Sequence, residues 1–122
     1  MKDLQADEII ALHRARAGRE GFDSRVISEA NLLQLVFLAN RIEEVVPRAA
    51  FTFFTLVAYP VFREGNETTA MELSLAVLDG EQYGIDPADT GDLAILAAKI
   101  TAFAAEPEDA GAWFAAHARR RS

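Results

Sequence analysis

The 122-residue sequence contains no cysteine and only two histidines. The lack of cysteine excludes disulfides, cysteine-containing zinc sites and thiol nucleophiles. The longest apolar stretch, residues 49–62, is interrupted by threonines and a proline and is too short to span a bilayer. The charged, amphipathic N-terminus lacks the apolar core of a signal peptide. We therefore expect a soluble protein, and a cytoplasmic location fits this composition.

Positive charge is also scarce, because 12 lysines and arginines stand against 19 acidic residues, a net charge of −7. Such a field repels phosphates, so we expect no broad binding to nucleic acid or to an anionic membrane. The arginine run at residues 119–121 is interpreted as a solvated tail. Length and an apolar fraction of 51% indicate one globular domain, residues 1–122.

Six segments show helical rather than alternating spacing: residues 5–17, a segment from Ser28, one beside Pro47, and residues 66–78, 90–105 and 108–119. The third segment is apolar nearly all round and ends before Pro60, which is typical of a helix at the centre of a bundle. A short extended piece is expected at Leu4 or at residues 83–85. The predicted fold class is all-α, a compact single-domain bundle of about six helices.

The residue types that could carry chemistry are few. We interpret His13 and His117 as surface or interhelical residues, because no pair of histidines or carboxylates at a metal-ligand spacing has a second pair to match it. The larger aromatic residues are interpreted as core or groove contacts (Phe51, Phe53, Phe54, Trp113 and Phe114).

The connection after the third helix, YPVFREGNETTA at residues 59–70, has an unusual composition. Gly65 permits backbone conformations closed to other residues, and Asn66 can cap the next helix. The free N–H groups at a helix start carry partial positive charge and suit an anion. Spacing alone favours an ordinary corner between two helices over a phosphate cradle.

Residues 60–70, PVFREGNETTA, resemble the motif H-P-F-x-[DE]-G-N-K-R-T-A of the Fic/Doc family, and most closely its Doc (death-on-curing) toxin branch. LQADEIIALH at residues 4–13 resembles the opening helix of Doc proteins. Asp92-Leu93-Ala94 and Trp113-Phe114 resemble parts of the last two helices of the family. The resemblance covers nearly the whole chain and implies a helical domain of the toxin–antitoxin type.

The resemblance also implies ligands and partners. In this family the central loop and the following helix start hold the phosphates of ATP with Mg²⁺. Fic proteins transfer AMP to a protein hydroxyl, whereas Doc toxins transfer phosphate to a translation factor. A small Phd-like antitoxin neutralises Doc toxins through an amphipathic helix that binds a groove.

The motif carries over only in part. The positions kept are the loop anchor, the acidic metal-binding position and the phosphate cradle (Phe62, Glu64, and Gly65 with Asn66). The positions lost are the base histidine and the two cations (now Pro60, Glu67 and Thr68). A general base contributes about 10²- to 10⁴-fold in rate, and a phosphate-clamping arginine about 10³- to 10⁵-fold. We therefore predict that ordinary Fic or Doc transfer is absent.

Three hypotheses follow. In the first, the chain is a catalytically degenerate Doc-like protein that acts by binding another protein. In the second, it is an active, divergent ATP-dependent phosphotransferase or AMP transferase that modifies a protein hydroxyl, uses Glu64 and Mg²⁺, and takes its base from Tyr59, His13 or the substrate. In the third, it is a helical protein-interaction module whose loop is only a historical trace.

Overall fold

Six helices make up most of the computed structural model, which describes residues 1–121. They are α1 (Ala6–Glu20), α2 (Glu29–Ala39), α3 (Val45–Ala58), α4 (Asn66–Asp79), α5 (Gly91–Thr101) and α6 (Pro107–His117). Two short strands, β1 (Tyr83–Ile85) and β2 (Ala118–Arg120), form an antiparallel pair, and a 3-10 turn (Pro87–Asp89) precedes α5. The predicted all-α bundle is confirmed, and so is the extended piece at residues 83–85. None of the described helices combines the length and apolar character needed to cross a membrane.

Helix α3 lies at the centre of the bundle, as its apolar sequence predicts. It packs against α2, α4, α5 and α6, and Phe53 and Leu56 on it are fully buried. Helix α3 ends at Ala58, one residue before the Tyr59–Pro60 step, because proline disfavours helical geometry in the residue before it. Helix α2 begins at the predicted cap, where the Ser28 hydroxyl accepts a hydrogen bond from Asn31 N at 3.1 Å.

A buried arginine on α3 fastens the N-terminal segment to the α2–α3 connection. The Arg48 side chain donates to the backbone carbonyls of Ile42 at 3.0 Å, Asn40 at 3.0 Å and Lys2 at 3.2 Å. The Asn40 amide exchanges two further hydrogen bonds with the backbone of Leu4. The guanidinium thereby satisfies carbonyls that would otherwise lose their partners on burial.

The arginine run at residues 119–121 is exposed to solvent, as predicted, but it is not a free tail. Arg119 and Arg120 lie in β2 and pair with β1. The Arg121 backbone N–H donates to Gln82 O at 2.7 Å, and its guanidinium binds the Asp79 carboxylate. Backbone hydrogen bonds between β2 and β1 hold residues 118–120 in place. The local sequence of this segment does not reveal that a partner strand lies beside it.

Three predicted helix ends also need correction. Helix α1 continues through Gly18 to Glu20 rather than ending at residue 17, because a single glycine is tolerated inside a helix. Helix α6 stops at His117 rather than at residue 119, because the chain turns into β2. Helix α5 stops at Thr101 rather than at residue 105, because Phe103 adopts a left-handed conformation (φ +59°). The N–H groups of Phe103 and Ala104 then bond the carbonyls of Ile100 and Lys99 at 3.0 and 2.8 Å. This is a Schellman closure with phenylalanine where glycine is usual.

Replacing Arg48 by methionine is expected to lower the free energy of unfolding by about 3 kcal/mol, because three carbonyls lose their donor. Urea unfolding measures the change. Arg14→Met is the matched control, since Arg14 is exposed and makes no hydrogen bond or ion pair within residues 1–121. Equal unfolding midpoints for the two variants would show that the Arg48 junction contributes nothing.

Candidate functional site

The loop between α3 and α4 is closed by the side chain of Asn66. Its Oδ1 accepts hydrogen bonds from the N–H groups of Val61 at 3.1 Å and Phe62 at 3.0 Å, and its Nδ2 donates to Phe62 O at 2.7 Å. Asn66 is already the first residue of α4, and Gly65 holds the cap position with φ +80°. The prediction that Asn66 caps the helix is therefore wrong, because its side chain is used by the loop behind it.

The segment before α2 packs against this loop. The Val61 carbonyl accepts from Ile27 N at 2.8 Å and Ser28 N at 3.2 Å. The ring of Phe22 lies so close to Gly65 that a Cβ there would be 2.4 Å from two ring carbons. Glycine is thus required at position 65 for two reasons: the backbone is left-handed there, and the Phe22 ring leaves no room for a side chain.

Beneath the loop, Phe62 stacks on His13. The two rings are nearly parallel (8°) with centroids 3.5 Å apart, and both side chains are 0% exposed. His13 Nδ1 lies 2.8 Å from the Thr69 hydroxyl on α4. Burial lowers the pKa of His13 below its usual 6.5, and the Glu64 backbone carbonyl acts in the opposite direction. His13 is therefore an interhelical residue, as the sequence analysis interpreted it.

Above the loop lies an open cavity of about 390 Å³. Six of the seven predicted site residues line it (Pro60, Glu64, Gly65, Asn66, Glu67 and Thr68), whereas Phe62 lies underneath. The backbone N–H groups of residues 64–68 have no hydrogen-bond partner within the described chain. The loop therefore has the backbone arrangement of an anion-binding site.

The charge of this cavity does not suit a phosphate. The Glu64 carboxylate accepts from Asp23 N at 2.7 Å, and the Glu67 carboxylate accepts from the Thr101 hydroxyl at 3.2 Å. Arg63 is the one cation among the lining residues, and its Nε lies 3.6 Å from an Asp23 carboxylate oxygen. Hydrogen bonds from Arg25 lower the pKa of Asp23 to about 2, so this carboxylate stays charged beside Arg63. The cavity is therefore lined by the carboxylates of Glu64 and Glu67 and by one arginine, Arg63, which already pairs with Asp23.

Neither protein residue considered as a substitute base lines this cavity. His13 is buried below the loop, and Tyr59, which is 58% exposed, lines a different groove. Glu64 is also not part of any group of three histidine or acidic side chains within residues 1–121 that could share a magnesium ion. Within residues 1–121, the one group of three histidine or acidic side chains close enough to share an ion is Asp89, Asp92 and His117. This group was not predicted from the sequence, although Asp89 and Asp92 stand at i, i+3, a spacing that places two ligands on one side of a helical turn.

The groove that Tyr59 lines runs between α2, α3 and α6 and encloses about 940 Å³. Its walls are largely apolar (Leu38, Ile42, Val46, Phe51 and Phe54), and α6 contributes small residues at Gly111 and Ala115. Glu44 is the one charged residue among the lining residues. The interpretation of Phe51 and Phe54 as core or groove contacts holds, since both are half-buried and line the groove.

Comparison with models of known protein families and with curated proteins finds no match for this chain. The Fic/Doc resemblance therefore stays a prediction that rests on the motif. The function is inferred from the loop and the groove.

Gly65→Ala is expected to destabilise the protein by about 2 kcal/mol, because alanine is strained at this φ and its methyl group meets the Phe22 ring. Gly18→Ala in α1 is the matched control. No atom lies within 4 Å of a Cβ there, so the change should stabilise the helix by about 0.5 kcal/mol. Urea unfolding of both variants measures the difference, and a stabilised Gly65→Ala variant would contradict the loop geometry.

Stability is expected to fall as the pH drops below 6.5, the ordinary pKa of histidine. Because the folded-state pKa of His13 is lowered, the unfolded chain binds more protons in this range, and protonation favours unfolding. Well above pH 6.5 His13 is neutral in both states and contributes no pH dependence. NMR titration of the His13 ring measures its pKa directly, and a value at or above 6.5 would contradict the effect of burial.

Proposed function

We propose that this chain is a catalytically degenerate Doc-like protein that acts by binding an amphipathic helix of another protein. The groove between α2, α3 and α6 is the binding surface in this proposal. The observation that carries it is an open apolar groove of about 940 Å³. In the same chain, the loop at residues 59–70 lacks the base and both cations of the motif. A Phd-like antitoxin is the partner that the resemblance suggests.

The chemistry of the groove supports a helix as its occupant. An amphipathic helix inserts apolar side chains spaced at i, i+3 or i+4, and i+7 into such grooves. Small residues at Gly111 and Ala115 on one wall leave room for those side chains. The charged lining residue is Glu44, and the chain carries a net charge of −7, so we expect basic residues beside the apolar face of the partner.

The loop supports the loss of catalysis. Pro60 offers no group that could accept a proton, and Glu67 replaces an attractive charge with a repulsive one. Two unit charges about 4 Å apart near a protein surface interact by about 4 kcal/mol. Glu67 therefore opposes the ATP phosphates that a lysine would attract.

A second candidate function is an active, divergent transferase that uses ATP, Mg²⁺ and Glu64. The observation in its favour is the row of unpartnered N–H groups at residues 64–68, which could still hold a phosphate. A translation factor as target belongs to this candidate. A location in the cytoplasm belongs to both candidates, and fits the cysteine-free composition.

The groove is tested with a phage-displayed peptide library selected on the full chain. We expect enrichment of peptides with apolar residues at helical spacing and basic flanks. Ala115→Glu places a carboxylate in the groove and is expected to weaken the selected peptides at least about tenfold, because apolar side chains would meet a charge. Ala112→Glu, at an exposed position of α6 outside the groove lining, should leave binding unchanged. Equal binding by both variants, or no enrichment, would contradict the proposal.

Calorimetry with ATP and Mg²⁺ on the same preparation separates the two candidates. Our proposal expects no heat at millimolar nucleotide, and clear binding would favour the transferase. A variant that combines Pro60→His, Glu67→Lys and Thr68→Arg is expected to gain ATP binding. Failure of that variant to bind would show that the loop is not a Doc-type cradle.

A further inference from the structure

Three side chains that can bind metal meet at the α5–α6 end of the bundle, and none of them is among the residues that line the loop cavity or the groove. Asp89 ends the 3-10 turn, Asp92 lies in the first turn of α5, and His117 is the last residue of α6. One ligand atom from each lies within 4.8 Å of the others. Atoms bound about 2.1 Å from one ion are at most about 4.2 Å apart, so ligand atoms 4.8 Å apart must move closer by roughly half an ångström or more to share an ion.

The ring of His117 is held in a state suited to metal binding. Its Nδ1 lies 2.8 Å from the backbone carbonyl oxygen of Trp113. Because a carbonyl only accepts hydrogen bonds, Nδ1 is the donor, and in the neutral tautomer with this bond Nε2 keeps its lone pair. The Trp113 indole stacks on the imidazole with centroids 4.2 Å apart and fixes the ring plane. A ring N–H donated to a backbone carbonyl is the usual companion of a histidine–metal bond.

The two carboxylates are not neutralised by the neighbouring cations. Within residues 1–121, neither Asp89 nor Asp92 accepts a side-chain hydrogen bond or forms an ion pair. The nearby arginines make other contacts: Arg119 with the Ala118 carbonyl, Arg120 with the Tyr83 ring, and Arg121 with Asp79. Two carboxylates therefore lie close together with an imidazole beside them.

The start of α5 explains part of this arrangement without a metal. Carboxylates at a helix N-terminus interact favourably with its dipole, which accounts for Asp89 and Asp92. It does not account for a histidine from another helix within reach of both, with its proton fixed on Nδ1.

We propose that Asp89, Asp92 and His117 bind one divalent transition-metal ion, with Zn²⁺ as the best match. One imidazole nitrogen with two carboxylate oxygens suits Zn²⁺ better than Ca²⁺ or Mg²⁺, which prefer oxygen ligands alone. Asp89 and His117 also line a cavity of about 810 Å³, so water or a small ligand can fill the remaining position on the ion. The ion would join the start of α5 to the end of α6.

Calorimetric titration of the full, tag-free chain with ZnCl₂ tests the site. We expect one ion per chain and much weaker binding of MgCl₂. Asp92→Asn and His117→Gln should each reduce Zn²⁺ affinity at least about tenfold, because each removes a ligand. Glu108→Gln is the control: it removes an exposed carboxylate from the first turn of α6, and Zn²⁺ affinity should not change.

NMR of the imidazole nitrogens provides a readout specific to the site, because the chain has only two histidines. Zn²⁺ is expected to shift the Nε2 signal of His117 and leave the signals of buried His13 in place. The proposal is overturned if Zn²⁺ does not bind, if both ligand variants bind it like the wild type, or if the His117 signals do not move.

Discussion

The hydrogen bonds from Asn66 to the backbone of Val61 and Phe62 hold the α3–α4 connection closed, and the surrounding contacts depend on this closure. It directs Phe62 down onto His13 of α1. It also presents the Val61 carbonyl to the N–H groups of Ile27 and Ser28, at the start of α2. One amide side chain thereby links the end of α3 and the starts of α2 and α4 with the middle of α1. Such a polar network specifies a unique arrangement where apolar packing alone would be less selective.

This closure explains which loop residues the fold itself requires. Phe62 packs below the loop, Gly65 adopts φ +80°, and Asn66 bonds the loop backbone. Pro60 and Glu67 face the cavity, where the closure of the loop does not depend on them. Folding alone is therefore enough to account for Phe62, Gly65 and Asn66, but it places no such demand on Pro60 or Glu67.

The last turn of α3 and the residues after it separate two surfaces of different character. Tyr59 lines the apolar groove, whereas the next residue, Pro60, lines the charged cavity above the loop. Apolar walls favour a partner that brings apolar area to bury, while the carboxylates of Glu64 and Glu67 disfavour phosphate. The surface chemistry thus supports protein binding better than nucleotide transfer.

The sequence by itself determined the helices: the apolar α3, its end beside Pro60, and the Ser28 cap all follow from neighbours a few residues apart. It also indicated which residues would gather at the loop, because they are contiguous. Only the tertiary structure decided the inward turn of Asn66, the burial of Arg48 and the meeting of Asp92 with His117. Each of these depends on backbone or side-chain partners outside the local helix, and periodicity records only which face of a helix is apolar.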